Sequence, residues 1–102
     1  MNIIICGAGR VGYSISKQLS VQGHSITVID QSSEFIQKIN ETQDVKGFVG
    51  RATFPSVLEK AGAEDADMII AVTKNDETNM VICQVAKSIF NINKKIARIR
   101  EQ

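Results

Sequence analysis

The residues best placed for chemistry are three glycines and one acidic residue near the amino terminus. Gly7, Gly9 and Gly12 follow the apolar run of residues 2–6 with the spacing G-x-G-x-x-G, and Asp30 ends the next apolar run. In this pattern the first glycine permits a tight turn from strand to helix, the second lets the backbone approach a pyrophosphate, and the third lets the helix pack closely. The phosphates bind N–H groups at the helix N-terminus, where the helix dipole favours negative charge. This segment therefore predicts a nucleotide site.

Asp30 lies 18 residues after Gly12, close to the spacing of about 20 expected for a carboxylate that accepts hydrogen bonds from an adenosine ribose. No Lys or Arg in the next few residues is placed to receive a 2′-phosphate, which the carboxylate would repel. NAD or NADH is therefore favoured over the phosphorylated dinucleotides. ATP and ADP stay open, because the glycines and Asp30 read only ribose and phosphate. In the alternative interpretation the glycines only make a turn, and Asp30 only caps the strand end or the next helix.

Arg10 is a cation in the first turn of the predicted helix, where it opposes the helix dipole. Without an anionic partner this position is mildly destabilising, and a bound phosphate would supply that partner. The alternative is an arginine that points into solvent.

Composition limits the classes of function. A chain of 102 residues predicts one domain, with a real core but without room for a separate substrate domain. Its 12 basic and 11 acidic residues give a net charge of +1, which argues against nucleic acid and anionic membranes as partners. The lack of a signal peptide or of about 20 continuous apolar residues predicts a cytoplasmic protein without membrane insertion. Cys6 and Cys83 form no C-x-x-C motif and are interpreted as small buried hydrophobic residues.

Apolar runs predict strands near residues 2–6, 25–30, 46–49, 67–72 and 95–99, with amphipathic helices between them. This alternation is typical of an α/β protein with a parallel sheet covered on both faces. Residues 3–5 and 68–72 are continuously apolar, as expected for central strands that are neighbours. Right-handed crossovers favour a Rossmann-like, doubly wound sheet of order 3-2-1-4-5.

Capping residues and apolar spacing predict where the helices begin and which faces they bury. Ser32 or Ser33 caps the second helix, Pro55 falls in a first turn after Thr53, and Asn75 opens the longest helix. The predicted inward residues are Val11, Ile15 and Leu19 on the first helix and Ile82, Val85, Ala86 and Ile89 on the last. The second helix carries the apolar residues Phe35, Ile36 and Ile39.

Ligands of such sheets bind beyond the carboxyl ends of the strands, near the point where the strand order reverses. The segments expected at this edge are residues 7–12, 30, 50–53, 73–75 and 98–100. His24, the only histidine, precedes a strand and belongs at the opposite edge, and Lys74 is interpreted as a solvated loop lysine. No catalytic constellation is visible, so the chain is not predicted to be an enzyme.

Residues 61–73 and 76–80 resemble the N-terminal module of Trk-type potassium-uptake regulatory subunits, the RCK or KTN (TrkA-N) family. The resemblance extends over the whole chain and includes C-G-A-G-R-V-G at residues 6–12 and A-R-I-R at residues 97–100. It implies a cytoplasmic module that binds NAD or NADH, or in related branches ATP or ADP, and gates a membrane potassium transporter without chemical turnover. It also implies pairing into dimers and assembly into a ring. In the sequence itself, Met80, Val81 and Phe90 give the last helix more apolar surface than one domain is expected to bury.

The resemblance also implies the residues that contact the cofactor. The glycine turn would hold the pyrophosphate, Asp30 the adenosine ribose, and residues after the third, fourth and fifth strands the rest of the ligand. The full set is Gly7, Ala8, Gly9, Arg10, Val11, Gly12, Asp30, Ala52, Thr53, Thr73, Lys74 and Arg98.

The chain departs from the family pattern in two places. Arg51 stands where many members have an acid, and it either favours more highly charged nucleotides or is simply an exposed loop arginine. The chain also ends after its fifth strand, so residues 1–102 are predicted to be one nucleotide-binding domain, a fragment truncated before a sixth strand. Two other functions stay open: the cofactor half of an NAD-dependent dehydrogenase, and a scaffold that binds no nucleotide.

Overall fold

The computed structural model describes residues 1–100, in which five strands alternate with four α-helices. The elements are β1 (Asn2–Cys6), α1 (Arg10–Val21), β2 (Ser25–Asp30), α2 (Ser33–Thr42), β3 (Lys46–Val49), α3 (Pro55–Lys60), β4 (Met68–Ala71), α4 (Asp76–Phe90) and β5 (Lys94–Ala97). A short 3₁₀ turn, Ala63–Asp65, lies between α3 and β4.

The five strands form one parallel sheet in the order β3-β2-β1-β4-β5, which confirms the predicted doubly wound topology. β1 lies at the centre, with Ile5 beside Val28 on one side and Ile70 on the other. The predicted neighbours β1 and β4 are therefore paired. The last two strands are shorter than predicted. β4 was predicted at residues 67–72 and is one residue shorter at each end. β5 was predicted at residues 95–99, but it starts one residue earlier, at Lys94, and ends two residues earlier, at Ala97.

Both faces of the central strands are buried, as the continuous apolar runs predicted. Ile3 and Ile5 pack beneath α1 and α2, whereas Ile4 and Cys6 pack beneath α3 and α4. All four side chains are at most 2% exposed. Among residues 1–100, no helix is both long and apolar enough to cross a bilayer.

Helix α1 lies unusually close to the turn that precedes it. A Cβ atom added at Gly12 would stand 1.8 Å from the carbonyl oxygen of Gly7, so the helix occupies a position that only glycine permits. The buried residues of α1 are Gly12 and Ser16. The prediction that Val11 faces inward was wrong, since Val11 is 36% exposed. At this short distance only small side chains fit beneath the helix axis, and Ile15 and Leu19 pack at its flank.

Helix α4 is buried along Asn79, Ile82 and Ala86, with Val85 and Cys83 partly buried beside them. Ile89 was expected on this face but is 56% exposed. The helix ends one residue later, and Phe90 and Ile92 fill the core at this end instead. Burial of Cys6 is complete, whereas the prediction for Cys83 holds only in part.

The remaining helix starts agree with the capping signals. The Ser32 hydroxyl accepts a hydrogen bond from the backbone N–H of Phe35, and the side chain of Asn75 accepts one from Thr78. Pro55 is the first residue of α3. On α2, Ile36 and Ile39 are buried while Phe35 is 40% exposed.

We expect Gly12→Ala to lower the free energy of unfolding by about 3 kcal/mol or more, because the methyl group would overlap the Gly7 carbonyl and force α1 away from the turn. Urea denaturation measures this change. Gly9→Ala is the matched control, since the atom nearest to its new Cβ is 4.0 Å away and the expected loss is less than about 1 kcal/mol. Equal losses in the two variants would contradict the close contact.

Candidate functional site

A cavity of about 720 Å³ opens at the carboxyl edge of the sheet, a volume within the range usual for small-molecule sites. Each strand contributes residues at or just beyond its end, so the cavity lies where the strand order reverses. Ten of the twelve residues predicted to bind the cofactor line it: Gly7, Gly9, Arg10, Val11, Asp30, Ala52, Thr53, Thr73, Lys74 and Arg98. Sequence reasoning did not single out the cavity residues Phe35, Thr78 and Ile82 as part of the site.

The other two predicted residues, Ala8 and Gly12, do not line the cavity. Ala8 is 4% exposed, and its backbone N–H donates to the carboxylate of Asp30. Gly12 lies behind the turn, against the Gly7 carbonyl. Both residues therefore support the structure of the turn without lining the cavity.

The turn between β1 and α1 has different requirements at its first two glycines. Gly7 has a φ of 118°, and a side chain there would stand 2.8 Å from the carbonyl oxygen of Val72, so the fold itself requires glycine. At Gly9, by contrast, an added Cβ would meet nothing closer than Phe35 at 4.0 Å. Gly9 is the N-cap of α1 and supplies no side-chain cap. The missing side chain therefore leaves an open cradle beside the helix N-terminus, whose first N–H groups lack partners within the helix.

Asp30 connects two turns at the edge of the cavity. One carboxylate oxygen accepts a hydrogen bond from Ala8 N at 2.7 Å, and the other accepts one from Ser32 N at 2.8 Å. Asp30 thus holds the end of β2 against the glycine turn, whereas the helix-capping role in the alternative interpretation belongs to Ser32. A carboxylate has about four lone-pair sites, so capacity for further hydrogen bonds is left.

Positive charge is concentrated around the cavity. Five basic side chains line it, namely Arg10, Arg51, Lys74, Arg98 and Arg100, against the single carboxylate of Asp30. The whole chain has a formal net charge of only +1. Within residues 1–100, the first four of these cations have no ion-pair partner, and the first turn of α1 contains Arg10 but no acid. An excess of unpaired positive charge at a helix N-terminus favours an anionic ligand.

A buried asparagine that the sequence reasoning assigned no role holds one side of the site together. Asn79 is 0% exposed. Its Oδ1 accepts hydrogen bonds from Thr73 N at 2.9 Å and Thr73 Oγ1 at 2.7 Å. Its Nδ2 donates to the carbonyl oxygens of Thr73 at 3.2 Å and Arg98 at 2.8 Å. The signal was its spacing of three and seven residues from Ile82 and Ala86, which places it on the buried face.

Within residues 1–100, neither the buried Cys6 nor the only histidine, His24, is placed to act as a nucleophile or base at the cavity. Burial raises the pKa of the Cys6 thiol far above its usual range, which disfavours a thiolate. His24 lies at the opposite edge, where its Nδ1 is 3.2 Å from the amino group of Met1. Across residues 1–100, no group of three or more His, Cys, Asp or Glu side chains is arranged to hold a metal ion.

The sequence matches the model of the TrkA-N domain over residues 3–102. It is 48% identical over 102 residues to the Trk system potassium uptake protein TrkA of Azorhizobium caulinodans. It is 44% identical over 100 residues to the protein of the same name from Vibrio alginolyticus. The matches cover 100% and 98% of this chain but 22% of each relative, so the chain spans about a fifth of their length.

Two solved structures are similar to the fold. The AMP-bound Kef C-terminal domain of Shewanella denitrificans superposes with a TM-score of 0.81 at 28% identity, covering 93% of this chain and 57% of that one. The TrkA-N domain of the inner membrane protein ybaL from Escherichia coli gives a TM-score of 0.84 at 21% identity, covering 92% of this chain and 69% of that one.

We expect Asp30→Ala to lower the free energy of unfolding by about 1.5 to 3 kcal/mol without any nucleotide, because two backbone N–H groups lose a charged acceptor. Thermal or urea denaturation tests this. Asp44→Ala removes an exposed carboxylate elsewhere on the surface and is the control, with an expected change within about 0.5 kcal/mol. A loss at Asp30 no larger than that at Asp44 would show that the two hydrogen bonds do not support the turn.

Proposed function

The chain belongs to the TrkA-N domain family, and from this premise we propose that it is the nucleotide-sensing module of a regulatory subunit for potassium uptake. In this proposal the cavity binds NAD or NADH, and nucleotide binding gates a membrane potassium transporter without chemical turnover. The module acts on the cytoplasmic side of the membrane and reaches it through its transporter partner.

The open cradle at Gly9 is the observation that carries the proposal. The fold leaves space for a side chain there, yet the residue is glycine and the space faces a helix N-terminus and unpaired cations. A pyrophosphate uses all three features at once, because it needs close backbone approach, N–H donors and positive charge.

The cavity suggests how a dinucleotide would lie. The pyrophosphate occupies the turn from Gly7 to Val11, and Asp30 accepts hydrogen bonds from the adenosine ribose. Ala52 and Thr53 flank the adenine, while Thr73, Lys74 and Arg98 approach the other half. From the end of β2 to the end of β5 there are three strand spacings, a span of about 14 Å. This length suits a ligand extended across the switch point, and the carboxylate of Asp30 disfavours a 2′-phosphate.

A second candidate ligand is ATP or ADP. Five cations surround the cavity, among them Arg51, and a structural relative is described as AMP-bound. Adenine, ribose and phosphate make the same contacts in a mononucleotide as in the adenosine half of NAD. The added charge of Arg51 favours the more highly charged triphosphate.

Regulation requires that the nucleotide bind two conformations or assemblies with different affinity, and coupling of about 1 to 3 kcal/mol is typical. We propose that the responding element is an interface between copies of the module, paired as a homodimer or arranged in a ring. The exposed apolar residues of α4 are Met80, Val81 and Ile89, which are 59%, 47% and 56% exposed. Phe90, by contrast, packs against the core.

The main competing function is the cofactor half of a dehydrogenase. That function needs a catalytic domain supplied by a longer chain, since among residues 1–100 no acid–base group stands in a catalytic arrangement at the cavity. NAD-dependent oxidation by the full-length parent would contradict the regulatory proposal. Loss of potassium uptake when the parent is deleted would contradict the enzymatic one.

We expect calorimetric titration to detect binding of NAD, NADH, ADP and ATP to the wild-type chain, with NAD and NADH preferred over NADP, whose 2′-phosphate the Asp30 carboxylate would repel. Gly9→Ala places a methyl group in the cradle and should weaken NAD binding by about 5- to 150-fold. The control is Gly23→Asn, which adds a side chain in open space away from the cavity; its φ of 95° strains the backbone, and asparagine is among the residues that this region strains least. If the wild type binds none of these nucleotides, the proposal fails. If Gly9→Ala binds as well as wild type, the pyrophosphate does not lie at this turn.

We expect Arg51→Glu to weaken ATP binding at least about tenfold more than NAD binding, because reversing a charge at the cavity acts more strongly on the more highly charged ligand. Competitive titration of the two ligands measures the ratio. Lys60→Glu makes the same charge reversal on an exposed residue outside the cavity and should leave the ratio unchanged. An unchanged ratio in Arg51→Glu would identify Arg51 as an ordinary exposed loop arginine.

A further inference from the structure

We propose that Asn79 is a positioning residue that holds together the side of the nucleotide cavity formed by the segments after β4 and β5. In this role it joins the loop after β4, which carries Thr73 and Lys74, to the segment after β5, which carries Arg98 and Arg100. The inference rests on the proposed nucleotide function. It concerns which part of the ligand depends on this joint, by which we mean the hydrogen bonds that link the two segments through Asn79.

The two segments follow the neighbouring strands β4 and β5 and lie at the carboxyl edge of the sheet. Beyond β5, Arg98 N donates to the carbonyl oxygen of Ala71 at 2.9 Å, and the chain then leaves the sheet. From this point, side chains at the start of α4 supply the anchors. Asn79 bonds to the carbonyl oxygen of Arg98, and Asp76 Oδ2 accepts from the backbone N–H of Arg100 at 2.9 Å. The Arg100 guanidinium also donates to the carbonyl oxygen of Lys74.

Asn79 is the anchor whose hydrogen-bonding capacity is fully used. Its side chain accepts two hydrogen bonds from Thr73 and donates one to each segment, which fills both lone pairs of Oδ1 and both N–H groups of Nδ2. The carboxylate of Asp76 leaves its buried Oδ1 without a hydrogen-bond partner. Because Asn79 is 0% exposed, water cannot replace a lost partner there, and the penalty for breaking this network is correspondingly large.

This arrangement divides the cavity by function. The glycine turn, Asp30, and residues 52 and 53 are attached to β1, β2 and β3, and Asn79 makes no hydrogen bond to them among the described contacts. Thr73 and Arg98 are both bonded directly to Asn79. We infer that the joint governs the part of the ligand beyond the first phosphate and leaves the adenosine part unaffected. AMP ends at that phosphate, whereas NAD continues past it, so the two ligands distinguish the halves.

The test is Asn79→Asp, which keeps the acceptor for Thr73 but replaces the donor to both carbonyl oxygens with a carboxylate oxygen. Calorimetry with NAD and with AMP should show NAD affinity reduced by about 10- to 100-fold and AMP affinity changed by less than about threefold. Asn40→Asp is the matched control. Asn40 likewise accepts from the N–H and donates to the carbonyl of one residue, Gly47, but lies outside the cavity. Asn79→Ser, which cannot span to Arg98, serves as a second variant if the aspartate variant does not fold.

A nucleotide-free measurement separates this inference from the proposed function. Amide hydrogen exchange by NMR should be about tenfold faster or more at Arg98 and Arg100 in Asn79→Asp, with exchange at Val28 in β2 unchanged. If wild type binds neither ligand, the proposed function fails, and the exchange data still decide whether Asn79 joins the segments. If wild type binds both ligands and the variant loses NAD and AMP equally, or loses neither, the positioning role is overturned while the nucleotide function stands.

Discussion

The site depends on one close contact, in which the backbone of α1 at Gly12 lies against the carbonyl oxygen of Gly7. No side chain fits between them, since a Cβ at residue 12 would be 1.8 Å from that oxygen. The contact brings the N-terminus of α1 to the point where the strand order reverses. It also explains the unusual buried face of the helix, because glycine and serine lie beneath the axis and the larger apolar side chains pack at its flank.

The position of this helix N-terminus matters because the electrostatic potential around it favours anions. A helix N-terminus is already favourable for anions, and here it is surrounded by cations contributed from the ends of other strands. The near-neutral composition of the chain conceals this, because the acidic residues that balance the total lie mostly outside the cavity. Asp30 is the exception, and its two hydrogen bonds to backbone N–H groups give it a structural task in addition to the ligand contact proposed for it.

Much of the fold could be predicted because it depends on local pattern. Strand runs, caps and right-handed crossovers determine the order 3-2-1-4-5, and the glycine spacing locates the turn. Errors arose where burial depends on a neighbouring element: Val11 is displaced by the close approach of α1, and Ile89 is replaced in the core by Phe90 and Ile92. Cavity-lining positions could be predicted from strand ends, since parallel strands all end at one edge.

The hydrogen-bond network could not be predicted in the same way. Asn79 joins residues that are distant in the sequence, and its partners depend on the angle at which the chain leaves β5. The spacing of Asn79 from Ile82 and Ala86 placed it on a buried face, but spacing does not identify a partner. Likewise, the fingerprint predicts a ribose contact for Asp30 without indicating that Ala8 and Ser32 already donate to it.

The most direct test of the account is to map nucleotide binding residue by residue, by following the backbone amide resonances of the chain during titration with NADH. We predict the largest chemical-shift changes at residues 7–11, 30–32, 52–53 and 73, with smaller changes at residues 98–100 and none near His24. Two results would contradict the central claim that this cavity is a nucleotide site. One is the absence of changes at the glycine turn at saturating NADH. The other is a set of changes confined to the surface between α3 and the C-terminal end of α4, away from the cavity.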